Sequence, residues 1–184
     1  MAYACLSCLV VADFNRDGKP DLAFNLLLPP PYRGVLLGNG DGTFGPALPL
    51  SYPEEGPIHA GDFDGDGIPD LFTGNGLAGV LRGKGDGTFQ PRIDVNACSS
   101  MQSVSIQVGD FNRDGKTDIL CGTALLLSNG DGSFRASGSV GSVAMESVVL
   151  VADFNGDGVP DVLLRKVVGH PRRCTRARRR HLRR

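Results

Sequence analysis

The sequence has no tryptophan, three tyrosines and three histidines, and aromatic residues make up 7% of it. With only His59, His170 and His181 available, and no nucleophile motif beside any of them, acyl-transfer chemistry of the triad kind has no support. His59, within PIHAGDF, is expected to be a strand residue, and the chain is expected to be non-catalytic. Long hydrophobic runs are also missing. The apolar stretch ACLSCLVVA is far too short to span a bilayer, and no basic segment precedes it as a secretory leader would require. A buried strand is the better reading, and no membrane insertion is expected. Five cysteines (Cys5, Cys8, Cys98, Cys121, Cys174) include a lone CxxC, but no second pair or histidine pair completes a zinc site. Plain strand and loop positions are expected for them, and their odd number leaves the redox compartment open.

What the chain does have is glycine and aspartate in fixed places. Its 184 residues suffice for one ordinary domain with a sizeable core, and the 26 glycines point to many turns. The motif DFNRDGKPD at Asp13–Asp21 returns as DFDGDGIPD at Asp62–Asp70, DFNRDGKTD at Asp110–Asp118 and DFNGDGVPD at Asp153–Asp161. Between copies lies a second cassette, LLGNGDGTF ending at Phe44, LRGKGDGTF ending at Phe89 and LLSNGDGSF ending at Phe134. Asp94 is the one aspartate outside these two patterns.

The formal net charge of −1 conceals a segregation. From Arg165 onward there are ten basic residues and no acidic ones, so residues 1–164 set nine Lys/Arg against all 20 Asp/Glu, a net of −11. A basic block such as RRCTRARRRHLRR can signal nucleic-acid contact or targeting. Here residues 169–184 are expected to be a disordered tail with no specific nucleic-acid role.

The long motifs recur every 43–49 residues, a period that signals a propeller, a solenoid or another array. Short apolar runs flank each one. LVVA, IHAG, IQVG and VLVA precede the four copies, and LAF, LFT, ILC and VLL follow them. Runs this short with β-branched content predict strands. Proline at position eight (Pro20, Pro69, Pro160; Thr117 in the third copy) argues against a helix leaving the loop. Segments such as Val35–Leu37 and Ala124–Leu127 then lead into the Gly-Asp-Gly turn, which supplies positive φ for a tight hairpin. A fourth strand is expected from Thr43, Thr88 or Ser133. Each period is therefore a four-stranded antiparallel propeller blade, and the fold class is all-β. The expected blades span about 5–50, 56–95 and 103–139, with an incomplete one at 147–168. After Asp161 no further GDG cassette appears, giving about three and a half blades where propellers close with four to eight. The abrupt change of composition points to a truncated or frame-shifted piece of a longer protein that would hold the remaining blades. The other way to completion is a homodimer closing a seven-bladed ring.

Oxygen-bearing side chains at positions one, three, five and nine can wrap a hard cation. Calcium takes six to eight oxygens from carboxylates, carbonyls and water, whereas magnesium insists on a small octahedral shell. The first site would use Asp13, Asn15, Asp17 and Asp21 with the carbonyl of Lys19, the second Asp62, Asp64, Asp66 and Asp70 with the carbonyl of Ile68. The third would use Asp110, Asn112, Asp114 and Asp118 with Lys116, the fourth Asp153, Asn155, Asp157 and Asp161 with Val159. Two carboxylates about 5 Å apart repel by roughly 3 kcal/mol at an effective dielectric of 20, so each loop favours a counter-ion, up to four Ca²⁺ in all. Helical calcium loops need a carboxylate at position twelve, and Phe24, Thr73, Cys121 and Leu164 stand there instead. EF-hand and dockerin-like loops are excluded.

The pairing of DFNxDGxxD with GNGDGTF resembles the FG-GAP/VCBS repeats of integrin α-subunit propellers and of many bacterial surface proteins. The likeness covers roughly residues 5–165. Without a GAP triplet or enough blades, the chain is nearer to the bacterial VCBS type. The resemblance implies calcium in each aspartate loop and an extracellular or cell-surface setting, with adhesion or ligand display as the role. A carbohydrate-binding propeller, or an accessory domain of a secreted polysaccharide-active enzyme, are the alternatives. In a meander the calcium loops and GDG turns share one face. A protein or glycan partner is therefore expected on the opposite face, with Tyr32, Arg33, Tyr52, Glu54 and Glu55 as contacts.

Overall fold

The computed structural model describes residues 9–26, 32–50, 57–73, 78–96, 106–140 and 146–166. They form strands and turns with no α-helix. The first sheet is β1 (Leu9–Ala12), β2 (Asp21–Leu26), β3 (Tyr32–Leu36) and β4 (Leu48–Pro49). The second is β5 (Ile58–Gly61), β6 (Asp70–Thr73), β7 (Ala78–Leu81) and β8 (Ile93–Val95). The third is β9 (Ile106–Gly109), β10 (Asp118–Cys121), β11 (Ala124–Ser128) and β12 (Phe134–Ser139), and β13 (Glu146–Ala152) with β14 (Asp161–Lys166) makes a two-stranded hairpin. Every pairing is between chain neighbours and antiparallel, so each sheet is an up-and-down meander. This is the partial propeller expected from the repeats.

Register explains the nine-residue spacing. Ala12 pairs with Asp21, Gly61 with Asp70, Gly109 with Asp118 and Ala152 with Asp161. Positions one to eight are thus the connection of a hairpin, and position nine is the first residue of the returning strand. The apolar runs on either side of each motif fall within the strands expected of them. The fourth strands differ from expectation. In the first two sheets Phe44 and Phe89 make single bridges to Gly38 and Gly83, and the ladder resumes only at Leu48 and Ile93. Pro46 and Pro91 stand in between and cannot donate to a ladder. The third sheet has no proline there, and its fourth strand pairs from Phe134 onward with one bulge, where Leu125 faces Gly138 and Leu126 faces Ala136.

First strands of successive sheets lie side by side, β1 by β5 and β5 by β9, which sets the sheets as blades around one side. Apolar residues fill the space between blades. Phe14, Ala23 and Val35 of the first meet Ile58, Leu71 and Leu81 of the second. Phe63, Phe72 and Val80 of the second meet Ile106, Ile119 and Leu126 of the third. Phe111, Leu120 and Leu125 of the third are joined by Val151 and Val162 of the hairpin. Cys121, buried on β10, belongs to the second of these cores, while the other four cysteines lie outside the described residues.

Candidate metal centre

The four connections repeat one backbone design. Positions four and six take left-handed dihedrals: Arg16 (φ 59°), Gly65, Arg113 (62°) and Gly156 at four, and Gly18, Gly67, Gly115 and Gly158 at six. Sequence reasoning identified the bend at six and missed the one at four, because two of its four residues are arginine. The consequence is a loop curled around its own amides. The position-one carboxylate accepts from at least two of them, as Asp62 does from Asp66 N–H at 3.1 Å and Gly67 N–H at 3.0 Å. Asp13, Asp110 and Asp153 accept from the same two positions. Position three (Asn15, Asp64, Asn112, Asn155) accepts from the position-five amide. Position five (Asp17, Asp66, Asp114, Asp157) accepts from position seven, the residue whose carbonyl the sequence nominated as a ligand.

Position nine does something the sequence did not reveal. Asp21, Asp70 and Asp118 are fully buried. One oxygen of each accepts from the position-two amide: Phe14 at 2.8 Å, Phe63 at 2.9 Å and Phe111 at 3.0 Å. The other accepts from the residue opening the second cassette: Gly38 at 2.7 Å, Gly83 at 2.8 Å and Ser128 at 2.9 Å. A single carboxylate therefore ties the two cassettes together. Asp161 keeps the first tie, accepting from Phe154 N–H at 3.1 Å, and among the described residues has the Asn155 side-chain amide, also at 3.1 Å, in place of the second. In the GDG turns, Asp41, Asp86 and Asp131 each clasp the hydroxyl and N–H of Thr43, Thr88 or Ser133, which holds their carboxyls below the usual range.

Charge accumulates most in the second loop. Oxygens of Asp62, Asp64 and Asp70 lie within 4.8 Å of one another, a set that could hold a metal ion. Asp66 stands outside that trio. Burial, with Asp66 and Asp62 nearby, pushes the Asp64 carboxyl up. Burial also raises Asp70 to about 7, outweighing its two amide donors, with Asp64 and Asp66 adding to the effect. Asp118 rises to about 6, again through burial first. In the metal-free protein the raised Asp70 contributes stability below its unfolded value near 3.8 and loses it as pH rises through about 7. The donors are hard oxygens whose anionic form is strained by burial and crowding, which is the environment a divalent cation relieves. Other loops carry tethered cations. Lys19 Nζ is 3.2 Å from Asp17, Lys116 Nζ 3.1 Å from Asp114, and Arg113 donates to the Asp157 carbonyl while facing its carboxylate at 3.6 Å. Asp64 has Arg82 at 3.7 Å.

Of the residues expected at a partner face, Arg33 lies half-buried on β3 with its Nε donating to Asn25 Oδ1 at 3.0 Å. Tyr32 begins that strand, and Tyr52, Glu54 and Glu55 fall outside the described residues, as does the basic tail.

Hairpin loops of this design on four-stranded meanders define a repeat class. The FG-GAP-like repeat family model matches residues 62–121, the second long motif through to the strand after the third. Among solved structures, the chain is similar to an Agrocybe aegerita lectin described as specifically recognising non-reducing terminal N-acetylglucosamine. The identity is 23% and the TM-score 0.60, over 86% of this chain and 47% of that one. It is also similar to the Vibrio cholerae biofilm matrix protein Bap1, at 22% identity and TM-score 0.47, over 86% of this chain and 24% of that one. The chain thus spans about half of the lectin's length or less of these relatives. No curated protein matches the sequence. No helix among the described residues is long and apolar enough to cross a membrane.

Proposed function

We propose that the chain is a calcium-stabilised, non-catalytic propeller segment that works outside the cell as an adhesion or ligand-display module. The observation that carries this reading is the convergence of Asp62, Asp64 and Asp70 within 4.8 Å, where burial disfavours the charge of Asp64 and Asp70. Calcium supplies one thing when bound, a positive centre for those oxygens. The chain's own residues fix the loop around it, through the left-handed turns at positions four and six. Asp13, Asn15, Asp17 and Asp21 would serve the first loop, and the matching residues the third and fourth, up to four ions in all. A ligand that binds the folded state alone adds to its stability by mass action, so the metal acts on the scaffold and leaves the opposite face for a partner. Isothermal calorimetry with CaCl₂, paired with thermal melts in EDTA, tests this. Expected are up to four binding events and a melting temperature that falls on chelation. Heat indistinguishable from dilution and an unchanged melt would end the proposal.

A second reading, carbohydrate binding, has support from the lectin likeness, because the same scaffold there carries recognition of terminal N-acetylglucosamine. A glycan array probed with the calcium-loaded chain separates the two. Binding to no sugar favours display of a protein ligand.

A further inference from the structure

Five large hydrophobic side chains are exposed among the described residues: Leu9 (58%), Val11 (60%), Phe44 (40%), Leu150 (46%) and Phe154 (51%). They fall on two surfaces only, the outward face of the first sheet and that of the C-terminal hairpin. Internal repetition shows what normally covers each. Leu9 corresponds to Ile58, buried against the preceding sheet, and Val11 to Ala60, half-buried beside it. Phe44 corresponds to Phe89 and Phe134, which stack edge-on against the position-two phenylalanine of the preceding sheet: Phe14 at 5.8 Å and Phe63 at 5.9 Å. Phe154 is itself a position-two phenylalanine, and its counterparts Phe14, Phe63 and Phe111 are 1%, 0% and 5% exposed. The first sheet therefore presents the receiving half of the blade-to-blade contact, and the hairpin presents the inserting half. The chain makes this contact twice within itself, between sheets one and two and between sheets two and three.

We propose that two copies of this chain associate head to tail, the hairpin of one seating on the first sheet of the other. Phe154 then stacks on the partner's Phe44 as Phe14 does on Phe89. The carbonyl of Phe14 accepts from Gly87 N–H at 3.0 Å, and the same pairing becomes available between Phe154 and Gly42, whose surroundings are open. Such a contact is heterologous, so it either closes as a two-membered ring or continues as a filament. Closed, two copies bring six four-stranded sheets and two two-stranded hairpins, eight positions round a ring where known propellers have four to eight. The inference does not rest on metal binding.

Sedimentation of the full chain, 19.4 kDa per copy, tests it over micromolar concentrations. The expected species has at least twice that mass. Phe44→Asp and Phe154→Asp should each reduce it to monomer with unchanged far-ultraviolet circular dichroism. Mixing the two variants should restore a dimer and nothing larger, because each retains the half the other lost. A wild-type chain that sediments as a monomer overturns the proposal. So does association that survives both substitutions, or a mixture that stays monomeric, either of which would mean a different surface is in use.

Discussion

At the residue scale, position nine of each loop carries a duty that a metal-ligand reading alone does not supply. Asp70 uses both oxygens to accept backbone N–H groups that nothing else in the core can satisfy. In Asp70→Asn the amide nitrogen would face one of those donors and leave it unpaired, at a cost of about 1–3 kcal/mol. Stability should therefore fall in EDTA as well as in calcium. Asp66→Asn, whose position lies outside the close trio, should leave the EDTA melt unchanged or raise it, because it relieves crowding. Equal losses for both variants in EDTA would contradict the distinction. His59 supplies a second test. Burial lowers it from 6.5 to about 4, where it lies near the Phe72 ring. The folded state resists a proton that the unfolded chain accepts, so its contribution is intact above pH 6.5 and is lost as pH falls towards 4. His59→Leu should flatten that part of the melting-temperature profile, and an unaltered acid limb would argue that other groups cause it. The sequence showed aspartates in register but not the geometry of position nine. Its pairing partner, Gly38 or Gly83, lies 13–17 residues away, and only the fold brings the two together.

At the scale of the element, strands were the legible part, because four in-phase copies made the short apolar runs and their turns agree. What stayed hidden was how blades are joined. Position eight is proline in three copies, and the sequence presented it only as a helix breaker. In the third copy Thr117 instead donates its N–H to the Asp62 carbonyl at 2.7 Å and accepts the Asp62 N–H on its hydroxyl at 3.0 Å, a reciprocal clasp between blades. Its side chain fits because Gly61 stands opposite. A Cβ there would lie 2.6 Å from the Thr117 methyl. Thr117→Pro makes the third copy resemble the others, yet it removes both bonds and leaves the Asp62 amide unpaired. We expect a loss of about 1–3 kcal/mol, read as a lower denaturant midpoint. Gly61→Ala should cost stability through the same joint. If both variants match the wild type, the second and third blades are held without this clasp, by apolar packing and by the Ser128 hydroxyl donating to the Phe63 carbonyl.

At the scale of the whole molecule, charge is distributed against the ordinary demands of folding. Residues 1–164 carry −11, much of it in four loops, and ten basic residues follow from Arg165 onward. Composition alone hid this, since the chain sums to −1, and only the positions expose it. The loops answer part of their repulsion locally, through amide donors and through Lys19, Arg82, Arg113 and Lys116. What remains acts over a distance that salt shortens to about 10 Å at 0.1 M. Removing residues 170–184 takes away eight arginines and no acid, leaving the acidic body without those counter-charges. In EDTA the shortened chain should gain melting temperature as NaCl rises from about 10 to 150 mM, because screening relieves the crowded carboxylates. With calcium present that gain should shrink, since divalent ions already neutralise the same groups. A shortened chain indifferent to salt in EDTA would show that crowding is met by the loop amides themselves, and the electrostatic case for calcium would lose its driving force.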